Sequence, residues 1–274
     1  MHTTELVIEA GHTERNYWRD LFRYRELFYF LAWRDVLVRY KQTVIGVLWA
    51  VLRPVLQMIV FTVVFGRIAK LPAEGVPYPV MVFTAMLPWQ LFATSLTEGS
   101  GSLITNANLI SKVYFPRLIV PASAVIVSFV DFAISMVLLA LLMAWYRIWP
   151  GWPLVILPIF TLMALLASTG VGTWLAALNV KYRDFRYVVP FMVQFGLFIS
   201  PVGFSSSIVD EKWRLLYDLN PMVGVIDGFR WSISGGATPF PWQSLELSMV
   251  TIVFFLVTGI WYFRKTERTF ADII

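Results

Sequence analysis

An all-α, polytopic membrane protein is the fold class this sequence predicts. It would have six transmembrane helices, an amphipathic helix ahead of them, and short broken helices before the last span. Three observations carry the expectation. The 274 residues are 58% hydrophobic and only 14% charged, against roughly 45–50% and about 25% in soluble domains. A surface that apolar could not remain in water. Apolar runs of the ~20 residues needed to cross a bilayer recur along the chain. The stretch from Trp33 to Pro54, WRDVLVRYKQTVIGVLWAVLRP, passes without a break from a charged, aromatic-rich helix into an apolar one.

Residues 1–16 are polar, contain both histidines, and read as a mobile or loosely attached tail. No basic-then-apolar start marks a cleavable signal peptide. Residues 17–43 then form the amphipathic interface helix, with no Pro or Gly. At 100° per residue Arg19, Arg23, Glu26, Arg34 and Lys41 share one stripe, interrupted by Phe30 and Leu37. An Arg-rich helix with a narrow polar stripe suits the membrane–water interface; packing on a soluble partner is the other reading.

Residues 44–274 carry the six spans: about 44–66, 79–97, 118–145, 153–179, 187–204 and 245–263. A polar segment, 98–117, separates the second and third. The basic run KYRDFR separates the fourth and fifth. Residues 205–244 are too polar to cross outright. They hold two amphipathic pieces split at Asn220-Pro221, where proline disfavours helix in the residue before it. Such broken helices dip into a membrane only where protein shields their backbone; a plain surface loop is the alternative.

Of the 22 lysines and arginines, 15 fall on one side of these spans, with both termini, and six on the other. By the positive-inside rule the termini are cytoplasmic. The net charge of +5 is thereby a topology signal, and nucleic acid is not needed to explain it. Within the spans, Ala164, Ser168, Gly172 and Ala176 repeat every four residues, a seam for close helix packing. Asp131 lies ~20 Å into the third span and Arg53 ~14 Å into the first. Ionisable groups at such depth face a partner or a watery path. An Arg53–Asp131 pair, a polar conduit and snorkelling all remain open.

Catalytic motifs are missing. There is no GxxxxGK[ST] phosphate loop, no HExxH, no GxSxG and no paired carboxylates of glycosidase type. Cysteine is absent, which removes disulfides, thiolate metal sites and a cysteine nucleophile. The chain is expected to hold no catalytic residue and no metal. A transporter lacking its own motor fits best.

Three stretches carry a family resemblance: WRDLFRYRELFYFLAWRDVLVRYKQTVIGVLWAVLRP, NVKYRDFRYVVPFMVQFGLFISPV and LYDLNPMVGVIDGFRW. In order and spacing they resemble the permeases of polysaccharide-export transporters of the ATP-binding-cassette superfamily, over nearly the whole chain from Trp18. The resemblance implies a homodimer with a channel between its subunits, driven by two copies of a separate ATPase that would bind ATP and magnesium; this chain binds no cofactor itself.

By the same resemblance, the interface helix with Arg34 and Arg39 helps seat the ATPase. A coupling helix at about 108–117, NLISKVYFPR, would present Asn108, Lys112, Tyr114, Phe115 and Arg117 to it. Outer gate helices at about 211–234 would include Trp213, Tyr217, Asn220, Pro221 and Phe229. Candidate channel residues are Trp49, Arg53, Phe61, Trp89, Phe92, Asp131, Phe191, Phe195 and Phe198, since a sugar's C–H face packs on a ring while its hydroxyls stay wet.

The resulting expectation is an inner-membrane exporter subunit for a lipid-linked polysaccharide, O-antigen first and teichoic acid or capsule next, in contact with membrane lipids. A membrane glycosyl- or acyltransferase is the rival from another class.

Overall fold

About a third of the way along the chain lies the post around which the other helices gather. The computed structural model describes residues 17–41, 44–73, 75–149 and 151–270, and among these it contains helices and connecting turns only. The expected tail over residues 1–16, and residues 42–43 at the end of the interface helix, lie outside the described residues. Helix α4, Tyr78–Thr105, is buried at every position from Val80 to Trp89. A helix apolar all round is one surrounded by others. Around it stand α3 (Val44–Phe61, continued by a π-helical stretch Thr62–Ile68), α6 (Ile119–Trp145), α7 (Leu157–Lys181) and α8 (Phe185–Ile199). Helix α11, Trp242–Thr266, packs on α7 from outside.

Small residues set the closest approaches. The expected seam Ala164, Ser168, Gly172 and Ala176 is buried, and a β-carbon on Gly172 would rest 3.8 Å from Leu96 of α4. Asn179 donates to the Ser100 carbonyl at 3.0 Å, tying the ends of α7 and α4. On the opposite face of α7, Gly170 meets α11: a β-carbon there would stand 2.7 Å from the Leu256 nitrogen, and one on Gly259 would collide with the Gly170 carbonyl oxygen. Without a hydrophobic drive between helices in lipid, such close backbone contact is what holds them.

The interface helix is two helices, α1 (Tyr17–Arg23) and α2 (Arg25–Tyr40), parted at Tyr24. Their exposed face carries Phe22, Tyr29, Phe30, Trp33 and Val38. Their inner face joins a second apolar cluster at the basic end of the bundle. There Tyr17 and Leu31 meet Leu103, Ile110, Phe115, Val180, Phe263 and Phe270. Tyr17 also donates to Glu267 at 3.1 Å and lies under the Arg264 guanidinium, 4.4 Å from its ring centre. Burial foremost, and Glu267 after it, raises the Tyr17 phenol pKa, so it keeps its proton.

Among the described residues five helical stretches are long and apolar enough to cross a membrane; the expected fifth span is shorter. Helix α8 has 15 residues, about 22 Å at 1.5 Å each, against a hydrocarbon core of ~30 Å. Pro201 stops it, because the residue before a proline is held extended, and Ser200 has ψ 151°. The crossing continues as irregular backbone, which survives at that depth only if protein answers its polar groups. Arg230 does so, donating to the carbonyls of Phe204 at 2.9 Å and Val202 at 3.3 Å. Tyr78 donates to the carbonyl of Gly203 between them.

Arg230 belongs to α10, Pro221–Ile233, buried among α4, α7 and α11 and preceded by α9, Glu211–Asp218.

Gly259→Ala is expected to destabilise the protein by about 1–3 kcal/mol through overpacking against Gly170, read as a lower unfolding midpoint in detergent. Gly101→Ala, where a β-carbon would meet nothing within 4 Å, is the control and should leave the midpoint unchanged or slightly raised.

Candidate functional site

On α3 the residues Trp49, Arg53 and Gln57 recur every four positions and therefore share one face. That face, with α4, α6 and α8, encloses an open cavity of about 520 Å³. From α4 come Trp89, Gln90, Thr94 and Thr97; from α6, Ser128, Asp131, Phe132 and Ser135; from α8, Pro190, Val193, Gln194 and Leu197. Gln90 donates to Gln57 at 3.2 Å across the α3–α4 wall. Trp89 is wedged on α8 at Gly196, where a β-carbon would stand 2.7 Å from its ring.

Arg39 and Tyr40, the last turn of α2, complete this lining. Arg39 pairs with Asp131 at 2.9 Å and reaches Glu98 of α4 at 3.4 Å. Tyr40 donates its hydroxyl to the other Asp131 oxygen. Burial first, then Asp131, raises the Tyr40 phenol pKa, which keeps it a donor. A carboxylate halfway down an apolar helix is thus answered by a cation and a hydroxyl from outside the span. The Arg53–Asp131 pair left open by the sequence is not formed: Arg39 and Tyr40 occupy Asp131, and among the described residues Arg53 makes no ion pair. Arg53 is exposed on the cavity wall.

The other channel candidates divide. Trp49, Trp89 and Asp131 line the cavity with Arg53. Phe191, Phe195 and Phe198 form an exposed stripe on α8 beside it, the first two stacked at 5.9 Å. Phe61 and Phe92 are 8% exposed and belong to the main core, Phe61 against Phe65 at 5.3 Å and Phe92 against Trp89 at 5.6 Å. Their rings are committed to packing rather than to a path.

The candidates for coupling divide likewise. Helix α5, Ala107–Lys112, is followed by an extended turn; Asn108, Lys112 and Tyr114 are exposed and Arg117 is half-buried. Phe115 is 4% exposed in the basic-end cluster, so it anchors the turn to its own chain. Arg34 donates to Asn106 at 2.8 Å and to Asp35 at 2.7 Å, and Arg39 faces Asp131 as above; both point inward onto the bundle.

At the far end, Asn220 caps α10 by accepting from the Met222 N–H at 3.0 Å, and Pro221 fills the first helical position, where its missing N–H costs nothing. Asn220 also donates to Ser200 at 3.0 Å, pinning the break between α9 and α10 to the end of α8. Trp213 is exposed on α9. Tyr217 is half-buried, its phenol pKa raised by burial and then by Asp227. Phe229 is fully buried, edge-on to Phe132 at 6.2 Å.

Sequence reasoning missed Tyr40, Glu98, Gln57, Gln90, Gln194, Tyr78 and Arg230. The three glutamines were readable as amides interrupting apolar spans; the partners of Asp131 and of the 202–204 carbonyls were not. Among the described residues no group of three or more His, Asp or Glu side chains could hold a metal ion.

Residues 26–234, from α2 through α10 and so including every wall of the cavity, match the model of the ABC-2 type transporter family. The chain belongs to that family. Over 93% of its length it is 31% identical to the O-antigen export system permease protein RfbA of Myxococcus xanthus, covering 98% of that protein. It is 26% identical to the RfbA permease of Klebsiella pneumoniae, over 88% of this chain and 92% of the relative. Similarity extends to the polysialic acid transport protein KpsM of Escherichia coli, at 21% over 86% of this chain and 91% of the relative. Membership of that family makes the chain a transporter membrane subunit.

Asp131→Asn and Tyr40→Phe, singly and together, are expected to lower stability non-additively, with a coupling energy of about 0.5–3 kcal/mol. Unfolding midpoints of the four forms in detergent measure it; strict additivity would show that the two groups do not act together.

Proposed function

We propose that this chain is the permease subunit of an ATP-driven exporter that moves a lipid-linked polysaccharide, O-antigen in the first place, across the cytoplasmic membrane. Two copies would face each other across α3 and α8. Two copies of a separate ATPase would bind beneath them, at the end that carries the termini. One observation carries the reading: Arg53 and Gln194 are exposed within apolar stretches of α3 and α8, beside a bare phenyl stripe. Facing lipid, the Arg53 charge would be costly. Facing a second copy across water, the same surface becomes a path wall, wet at the arginine and amides and slippery at the rings.

The names of the three relatives support a polysaccharide as cargo, with teichoic acid or capsular polymers the next candidates in the same class. The basic excess at one end supports placing the termini in the cytoplasm.

Force from the ATPase has two routes into this structure. Exposed Asn108, Lys112 and Tyr114 form a small knob rigidly backed by Phe115. Helix α2 runs from the same region to the Arg39–Asp131 contact, so a push at the membrane surface arrives at the cavity wall. Binding energy at such knobs concentrates in a few aromatic and charged side chains.

Pull-down of the tagged protein from its host should recover a soluble ATPase with it; recovery of the permease alone would favour a membrane transferase. Lys112→Ala with Tyr114→Ala is expected to weaken ATPase recovery tenfold or more, about 1.4 kcal/mol or above, with folding intact. Phe115→Ala should instead destabilise the permease itself by about 3–5 kcal/mol, seen as a lowered unfolding midpoint without any partner present.

A further inference from the structure

One charge in the cavity wall has no counterpart. Among the described residues that line the cavity, the charged ones are Arg39, Arg53 and Asp131. Arg39 and Asp131 meet at 2.9 Å, with Tyr40 and Glu98 completing their cluster. Arg53 makes no ion pair among the described residues, and it is exposed. A guanidinium at that depth needs water or an anion beside it. The second copy proposed to stand across α3 and α8 does not bring the anion. Neither helix contains an aspartate or a glutamate, and Asp184, just ahead of α8, stands between Arg183 and Arg186 in the chain. The second copy's Asp131 arrives already paired. Two copies therefore place two Arg53 side chains on the path and no carboxylate to meet them. What passes between them is the remaining source of negative charge.

The neighbours of Arg53 on α3 suit a sugar. One turn before it, Trp49 exposes a ring on which the C–H face of a pyranose packs. One turn after it, Gln57 accepts from Gln90 at 3.2 Å and keeps its own amide hydrogens to donate. The three stand about 6 Å apart along one face of the helix. A stacking ring, a cation and an amide thus follow one another along the wall. The cavity, at about 520 Å³, falls in the range of small-molecule sites.

We infer that the exported glycan carries carboxylated sugars and that Arg53 is the residue that selects them. Each carboxylate pairs with the guanidinium fork, while sugar rings lie on Trp49 and hydroxyls meet Gln57. The inference rests on the export reading, which sets α3 and α8 against water, and it names the cargo's charge. One such pair in a wet path is weak. An acidic polymer is therefore favoured at entry and still passes on to its next sugar, as conduction requires. A neutral polymer would leave Arg53 to water alone.

The test uses the solubilised full-length protein, with any co-purifying ATPase retained. A reporter cysteine, Gln194→Cys, is placed on the α8 side of the same cavity and labelled with a membrane-impermeant maleimide at fixed ionic strength. Three protectants are compared: an oligogalacturonate, a malto-oligosaccharide of equal length, and inorganic pyrophosphate. The oligogalacturonate should halve the labelling rate at about a fifth of the concentration that the neutral oligomer needs. Arg53→Gln should remove that difference with the unfolding midpoint unchanged, and Arg53→Lys should restore part of it. Equal protection by the two oligosaccharides would overturn the inference, as would a preference that survives Arg53→Gln. Pyrophosphate as effective as the oligogalacturonate would overturn it too, because the rings would then add nothing. If the cysteine is labelled but not selectively protected, the path stands and this inference alone falls. If it is not labelled even without protectant, the export reading falls and takes the inference with it.

Discussion

A charge halfway down an apolar helix has to be answered, and the answer to Asp131 organises the membrane-facing half of this protein. Arg39 and Tyr40 reach it from the end of α2, and Arg39 also reaches Glu98 on α4. One cluster thereby fixes where the interface helix ends, how α6 is turned against α4, and which end of the cavity is closed by protein. With the Arg39 and Asp131 side chains 36% and 25% exposed, the pair is screened by its surroundings and adds little net stability. Its value lies in registry: any other rotation of α6 would leave the carboxylate in hydrocarbon. Arg34, bonded to Asn106 at the C-terminal end of α4, adds a second polar tie between α2 and that helix.

The same economy explains the contrast between the two sides of the bundle. On one side α11 locks onto α7 and α10 through backbone-close contacts at Gly170, Gly224 and Gly259, and α4 packs against α7 and α10. Arg230 and Tyr78 satisfy the carbonyls where α8 gives way to irregular chain. On the other side α3 and α8 have little of their surface covered, although they carry Arg53 and Gln194. A rigid block holding two thinly covered helices, one ended by Pro201 and the other interrupted by Pro54, is suited to a moving pathway wall. The block also contains α10, and ahead of the break at Asn220 helix α9 leaves Trp213, Leu215 and Leu216 exposed, with Leu219 beside them.

Much of this was legible in the sequence because membranes impose coarse rules. Long apolar runs gave the spans, the spacing of Ala164 to Ala176 gave a packing seam, and Asn220-Pro221 gave the break between α9 and α10. The depth of Asp131 and Arg53 flagged both as residues in need of a partner or water. What the sequence could not give was the partner. Arg39 lies close to Arg53 in sequence, and only the fold decides which of them meets Asp131. The short α8 was missed because apolar residues continue past Pro201, so composition alone does not mark where helix ends and carbonyls need Arg230. Phe115, expected to touch the ATPase, and Phe92, expected in the channel, are both buried inside clusters of their own chain, which sequence alone does not show.

The proposed export path requires that α3 and α8 border water. The chain has no cysteine, so single cysteines can be placed without background. Labelling by a membrane-impermeant charged maleimide would be compared at Arg53, Gln194 and Phe195 with labelling at Val253 and Val257, exposed on α11. The account predicts rapid labelling at the first three positions and none at the α11 pair. Equal resistance at all five would place α3 and α8 against lipid and contradict it.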